Sequence, residues 1–125
     1  MRKFSESELK DVWVINLNIF EDHRGQYIET YNERDYFDYL PNIKFVQDDI
    51  STSRMNVLRG IHGDNVTWKL VSCVYGAFYL VVVNNDPESK QYKKWTSFTL
   101  SASNGLQVLI PPRFGNGHLA LTDRS

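Results

Sequence analysis

The sequence predicts an all-β protein, a sandwich or barrel built from short strands. Short apolar segments recur between turn signals along most of the chain, a pattern typical of β-sandwiches and barrels. Aromatic residues make up 14% of the chain, and aromatic side chains favour strands. A single segment, 32–40, has the pattern of a helix, so we expect helix to be a minor component.

The amino-terminal part predicts a hairpin followed by that short helix. Residues 12–20 are expected to form one strand, 22–25 a turn and 26–31 the returning strand. Residues 32–40 are expected to form one or two helical turns, with Asn32 as the N-cap and Pro41 ending them.

The remainder predicts a series of strands separated by turns. The expected strands cover 44–48, 57–62, 68–75, 77–84, 95–100 and 106–110, and another apolar run begins at Leu119. The expected core consists of Val71, Cys73, Val74, Phe78, Leu80, Val82, Phe98, Leu100, Val108 and Ile110.

Length, charge and cysteine content narrow the class of protein. The 125 residues suffice for one domain, which we expect to span 1–125. A net charge of -1 gives no reason to expect a nucleic acid or a membrane as partner. Cys73 is the only cysteine, so no intrachain disulfide and no cysteine zinc cluster can form. With no apolar signal-like segment visible, these features fit a reducing cytoplasm.

The segment 57–64 carries the candidate chemistry. Arg59 and His62 would lie on opposite faces of a straight strand, but a bend or bulge at Gly60 would bring both toward one pocket. Lys69 follows His62 by seven residues. An imidazole suits proton transfer near neutral pH, and nearby cations suit an anionic ligand. The pattern therefore favours a pocket that holds an anion and moves a proton.

Each of these residues also has a plainer interpretation. His62 could be a hydrogen-bonded strand histidine, and Lys69 could extend to the rim of the fold rather than into a pocket. Arg24, Arg59 and Arg113 could each bind phosphate or lie solvated on the surface. The three histidines have no metal-ligand spacing, so we expect no metal site.

Several motifs occur in a characteristic order along the chain. They are Asp22-x-Arg24-Gly25-x-Tyr27-x-Glu29, Phe45-Val46-Gln47-Asp48-Asp49-x-Ser51-x-Ser53, Val57-Leu58-Arg59-Gly60-Ile61-His62, Lys69-Leu70-Val71-x-Cys73-x-x-Gly76 and Pro111-Pro112. This order resembles the dTDP-4-dehydrorhamnose 3,5-epimerase family from about Asp11 to Leu121. In detail the motifs are most similar to the branch that acts on GDP-4-keto-6-deoxy-heptoses.

The resemblance implies a cupin-type jelly-roll β-sandwich, with the amino-terminal hairpin and one short helix, that forms a homodimer and uses neither metal nor cofactor. His62 would then be the general base that removes a proton beside the C4 ketone of the sugar. Lys69 would stabilise the resulting enolate oxygen.

The resemblance also implies a set of substrate-binding residues. Arg59, Gln47 and Asn116 would line the pocket for the nucleotide-diphosphate sugar. Arg24 and Glu29, on the hairpin, would reach into the site of the partner subunit.

The implied reaction is epimerisation at C3, C5 or both in a 4-keto-6-deoxy sugar carried by GDP or dTDP. The products would serve surface polysaccharides such as capsule or lipopolysaccharide. Two alternatives remain open: a 3,4-ketoisomerase on the same fold, and a cupin that binds nucleotide sugars without turning them over.

The chain departs from the family pattern after the proline turn. The usual His-Gly-Phe is replaced by Asn116-Gly117-His118, so the second histidine of the family is not assigned to His118. The tyrosine that serves as general acid, and the aspartate that pairs with the base, lie on later strands of the family fold. We expect those strands to lie outside 1–125, the alternative being a fold complete in trimmed form.

Overall fold

The computed structural model describes residues 2–40 and 42–125, and within them ten strands form two four-stranded antiparallel sheets and a separate hairpin. The strands are β1 (Lys3–Glu6), β2 (Trp13–Asn16), β3 (Ile19–Asp22), β4 (Gly25–Ile28), β5 (Leu58–His62), β6 (Lys69–Ser72), β7 (Ala77–Asn84), β8 (Trp95–Ser101), β9 (Leu106–Ile110) and β10 (Phe114–Ala120). The predicted all-β class is confirmed.

The strand order brings distant parts of the chain together. The first sheet has the order β1-β2-β9-β6, and the second has the order β5-β10-β7-β8. β5 and β6 follow one another in sequence, yet each is the edge strand of a different sheet. The two sheets pack face to face, as in a jelly-roll sandwich.

Two clusters of buried side chains hold the sandwich together. The first lies between the sheets and contains Val108 and Ile110 of β9 with Leu80 and Val82 of β7. The second lies on the outer face of the first sheet. Because successive residues of a strand face opposite ways, Leu109 joins the second cluster while its two neighbours join the first. β9 is therefore buried on both faces.

The short helix covers the outer face of the first sheet. α1 spans Glu33–Tyr36 and continues into a 3₁₀ turn at Phe37–Tyr39. Its N-cap is Asn32, as predicted, and the side chain of Asn32 accepts a hydrogen bond from the Asp35 amide. The predicted role of Pro41 lies outside the described residues.

Two predictions about strands and core are wrong. Residues 44–48 form no strand, because Ile43 and Phe45 pack against the second cluster while no neighbouring strand pairs with this segment in the described structure. Val74 is 68% exposed rather than buried. It follows the end of β6 in the turn before Gly76, so the strand alternation no longer applies to it.

The predicted strand at 12–20 divides into two. β2 joins the first sheet, whereas β3 pairs with β4 alone, so the predicted hairpin is present but is formed by the second half of that segment. β1 and β10 were not predicted. Of the residues that the structure describes, none belongs to a helix long and apolar enough to cross a membrane.

Candidate active site

A bulge in β5 gathers the candidate residues. His62 pairs with Asn116 of β10, and Arg59 pairs with His118, so Gly60 and Ile61 together face Gly117 alone. The extra residue reverses the alternation of side chains along β5. Arg59 and His62 therefore lie on the same face of the sheet, and of the two arrangements that the sequence left open, a straight strand or a bend or bulge at Gly60, the structure contains the bulge.

Close contact between β5 and β10 depends on glycine. A Cβ atom on Gly60 would lie 2.6 Å from the carbonyl oxygen of Asn116, and φ at Gly60 is +98°. A Cβ atom on Gly117 would lie 2.9 Å from the carbonyl oxygen of Arg59. A larger residue at either position would separate the strands that carry the site.

The shared face is the inner one. On its other side β10 pairs with β7, where Asn116 is opposite Val82 and His118 is opposite Leu80. Both β7 residues belong to the core between the sheets. The four polar side chains therefore lie on the inner face of this sheet, where Asn116 is buried, His118 is half-buried, and Arg59 and His62 on the edge strand are exposed.

Lys69 reaches the same region from the other sheet. It pairs with Ile110, a residue of the core between the sheets, so its side chain points inward and not to the rim. The Lys69 Nζ atom donates a hydrogen bond of 2.9 Å to Asn116 Oδ1. Asn116, only 7% exposed, is thus the common neighbour of Lys69 and His62.

Arg59 is oriented by the segment that precedes β5. Its Nε atom donates to Ser53 Oγ over 2.7 Å, and a terminal nitrogen donates to the Thr52 carbonyl over 3.1 Å. Ser53 is 3% exposed. A buried hydroxyl and a carbonyl thus hold the guanidinium on the wall of the site, with no carboxylate bound to it in the ranges 2–40 and 42–125.

His118 is the functional candidate that sequence reasoning missed. Its ring lies 5.1 Å from the ring of Phe78, between centroids. Burial, followed by the nearby charges of Arg59 and His62, lowers the pKa of His118. The sequence did contain a signal for His118. It follows Asn116 by two positions, and residues at that spacing point to the same face of a strand.

The loop between β5 and β6 is ordered by Asp64. Its carboxylate accepts hydrogen bonds from the Thr67 hydroxyl and from the amides of Val66 and Thr67. The Thr67 hydroxyl is the largest cause of the lowered pKa of Asp64, and Lys69 contributes less. The loop thereby holds a fixed shape between His62 and Lys69.

Three predicted substrate-binding residues form their side-chain hydrogen bonds with residues outside this cluster. The Gln47 side chain bonds to Asp49, and Arg24 bonds to Asp22 in the hairpin turn. That contact lowers the pKa of Asp22. Glu29 accepts a hydrogen bond from Arg2. The structure therefore brings together Arg59, His62, Lys69 and Asn116, but not these three.

The structure also shows the surroundings of Arg113 and Cys73. Arg113 lies 3.7 Å from Asp86, near the turn that follows β7. Cys73 is half-buried, and burial is the main cause of the raised pKa of its thiol. No group of three or more metal-ligating side chains occurs in the part of the chain that the structure covers.

Two facing antiparallel sheets define a cupin-type jelly roll, and a histidine, a lysine and an arginine lie on the inner faces of these sheets. The family model described as dTDP-4-dehydrorhamnose 3,5-epimerase matches residues 6–125. The chain is 39% identical over 121 residues to the dTDP-4-dehydrorhamnose 3,5-epimerase of Escherichia coli K12. This protein belongs to the dTDP-4-dehydrorhamnose 3,5-epimerase family of isomerases.

Solved structures of relatives have the same fold. A dTDP-6-deoxy-D-glucose-3,5-epimerase from Legionella pneumophila, in complex with dTDP-4-keto-L-rhamnose, superposes with a TM-score of 0.94 at 29% identity, covering 99% of this chain and 68% of that one. A Bacillus anthracis dTDP-4-dehydrorhamnose 3,5-epimerase with TDP and PPi bound gives a TM-score of 0.91 at 30% identity, covering 99% of this chain and 73% of that one. The jelly-roll prediction is confirmed.

The match covers most of this chain but less of its relatives. It includes 94% of this chain and 65% of the Escherichia coli protein. For the Salmonella typhimurium dTDP-4-dehydrorhamnose 3,5-epimerase, which is 35% identical, the shares are 94% and 67%. The chain thus spans about two thirds of the length of these relatives.

Proposed function

We propose that this protein removes a proton beside the C4 ketone of a nucleotide-linked 4-keto-6-deoxy sugar, as the first step of epimerisation at C3, C5 or both. The observation that carries the proposal is the position of Asn116, which pairs with His62 and accepts a hydrogen bond from Lys69. A base and a cation thus meet at one point on the inner face.

The chemistry follows from these two groups. A nitrogen of His62 takes the proton from the carbon next to the ketone, and the electrons of the broken C–H bond move onto the ketone oxygen. The Lys69 ammonium stabilises the negative charge that develops there. When a proton returns to the opposite face of the carbon, the centre is inverted.

Arg59 is the residue that we propose binds the phosphate groups of the substrate. A guanidinium matches the geometry of phosphate oxygens, and Ser53 and Thr52 hold this one in place before a ligand arrives. Two relatives were crystallised with ligands of this kind, dTDP-4-keto-L-rhamnose in one and TDP with PPi in the other. A nucleotide-diphosphate sugar is therefore the proposed substrate.

The nucleotide and the sugar are finer proposals. The names of the relatives favour a dTDP-linked hexose. The motif Arg59-Gly60-Ile61-His62-Gly63-Asp64 favours the GDP-heptose branch instead. Both ligands therefore belong in every assay. We further propose that the protein acts in the cytoplasm and that its product is used in a surface polysaccharide.

We also propose that residues 1–125 act as one domain within a homodimer. The hairpin β3–β4 pairs with no other strand in the described structure, and its Phe20 and Tyr27 are 60% and 73% exposed. A hairpin with exposed aromatic side chains is suited to lie against a second subunit. In that arrangement Arg24 and Glu29 would reach the partner's site, and Gln47 would line the pocket.

The test of the proposed reaction is proton NMR in deuterated water with GDP- and dTDP-linked 4-keto-6-deoxy sugars. We expect deuterium to enter at C3 or C5 with the wild-type protein and not with His62→Asn, whose circular dichroism and unfolding should match those of the wild type. Unchanged exchange in folded His62→Asn would reject His62 as the base.

The same experiment separates the two alternatives. Movement of the carbonyl signal from C4 to C3 would indicate a ketoisomerase. Binding of the nucleotide sugar without any exchange in the wild-type protein would indicate a module that binds but does not convert it.

A further inference from the structure

The inner wall carries a second imidazole beside His62. His118 lies two residues beyond Asn116 on β10, and its backbone partner across β5 is Arg59. Position 118 is where the family pattern has phenylalanine, so the motif comparison assigns no role to it.

We propose that His118 is a ligand-contacting residue that helps determine substrate specificity, by donating a hydrogen bond to an anionic oxygen of the bound nucleotide sugar beside Arg59. The proposal rests on the proposed function, because it places the same ligand in the same site. It adds a contact that the predicted set of site residues does not contain.

The surroundings of His118 leave its nitrogens available. The ring is half-buried, with Phe78 on one side and Leu80 opposite its backbone on β7. Neither ring nitrogen has a hydrogen-bond partner within residues 2–40 and 42–125. A polar group set against an apolar core in this way is expected to find its partner in a ligand or in water.

The charge around His118 indicates what the ligand atom is. Arg59 and His62 face it from β5, Lys69 enters the same interior from β6, and the β7 residues beside it are apolar. None of the ion pairs in the described structure involves Arg59 or Lys69. Two positive groups, Arg59 and Lys69, that have no carboxylate partner in the described structure favour an anionic oxygen of the ligand.

The position of His118 argues against a role as the inverting acid. It lies on the strand next to His62 and on the same face of the same sheet. A proton delivered from this wall would reach the same side of the carbon from which His62 removed one. We therefore expect His118 to affect binding and to leave the chemical step almost unchanged.

Binding should also be coupled to a proton. In the free protein, burial and then the positive charge of Arg59 lower the pKa of His118 and so favour its neutral imidazole. An anionic oxygen beside it reverses the sign of the local charge and favours the imidazolium. Ligand binding near neutral pH should then take up a proton that His118→Phe cannot take up.

The test is calorimetry of the full-length protein with GDP and with dTDP, in two buffers of different ionisation enthalpy. For His118→Phe we expect the Kd of the preferred nucleotide to rise about tenfold, equal to about 1.4 kcal/mol, with a smaller proton uptake. His118→Gln keeps a hydrogen-bond donor, so it should restore part of the affinity but none of the proton uptake. In the deuterium-exchange assay His118→Phe should raise KM and change kcat by less than about threefold.

A His118→Phe variant with the affinity and proton uptake of the wild type would overturn the proposal. A large loss of kcat with unchanged KM would also overturn it, since that result would place His118 in the chemical step. If wild-type protein binds neither nucleotide, the proposed function itself fails. Binding by the wild type that His118→Phe does not alter refutes the role of His118 alone.

Discussion

The Nζ atom of Lys69 and the Oδ1 atom of Asn116 lie 2.9 Å apart and join the two sheets of the sandwich across its interior. Lys69 belongs to the edge strand of one sheet, and Asn116 belongs to a central strand of the other. The hydrogen bond directs the ammonium toward the position that pairs with His62. The proposed chemistry depends on this contact.

Replacing Lys69 with methionine should slow deuterium exchange into the substrate by about 10² to 10³, the usual loss when a group that stabilises an oxyanion is removed. The apolar stem of methionine can occupy much of the same space, so the fold should persist. Lys90→Met, at an exposed position outside the site, is the matched control. An exchange rate equal to that of the control would exclude Lys69 from enolate stabilisation.

Ser53→Ala should weaken nucleotide binding without slowing the chemical step. The variant removes the hydroxyl that accepts the hydrogen bond from Arg59 Nε, so the guanidinium loses its orientation. A hydrogen bond to a charged group contributes about 1.5 kcal/mol, which predicts a KM higher by about tenfold and an almost constant kcat. Ser103→Ala, on an exposed turn, provides the comparison. A fall in kcat at constant KM would contradict the positioning role.

The tight contact between β5 and β10 predicts an order of stability among glycine variants. A Cβ atom on Gly63 would lie 2.1 Å from the carbonyl oxygen of Phe114, whereas one on Gly115 would meet side-chain carbons of Ile61 and Val83 at 2.8 and 3.1 Å. Backbone cannot move aside as readily as a side chain, so Gly63→Ala should lower the free energy of unfolding by about 3 kcal/mol, more than Gly115→Ala. Urea unfolding of both variants gives the comparison. Equal losses would show that the backbone beside Gly63 moves aside as readily as the side chains beside Gly115.

Tyr36 should make the protein sensitive to alkali. Burial is the main cause that raises the pKa of Tyr36 to about 12, and the ordinary value in an unfolded chain is about 10. Below pH 10 the phenol is neutral in both states and its contribution to stability is complete. Between pH 10 and 12 the unfolded chain ionises first, so that contribution is lost.

Unfolding free energies measured from pH 9 to 12 test this expectation. Wild-type protein should lose stability more steeply than Tyr36→Phe over this range. Tyr27→Phe, at an exposed position of the hairpin, should follow the wild type. A slope for Tyr36→Phe equal to that of the wild type would reject the buried phenol as the cause.

Local sequence patterns were sufficient for several elements. The predicted strands at 77–84 and 106–110 have the bounds of β7 and β9, because each is an apolar run between clear turn signals. The N-cap Asn32 was predicted correctly, because its side chain accepts a hydrogen bond from an amide only three residues away, and such a contact depends on local sequence. β10 was not predicted, because its two glycines interrupt the pattern of strand-forming residues.

The sequence by itself determined that this protein is an all-β sandwich with a short helix, and it marked Arg59, His62, Lys69 and Asn116 as candidates. Only the tertiary structure decided which of them meet. The bulge at Gly60 and the pairing of β5 with β10 are hydrogen-bond registers between segments far apart in the chain, and no local pattern specifies them. Those registers place His62 beside Asn116 and His118 beside Arg59. A shift of one residue would turn each of the shifted side chains to the other face of the sheet, so the site depends on the register.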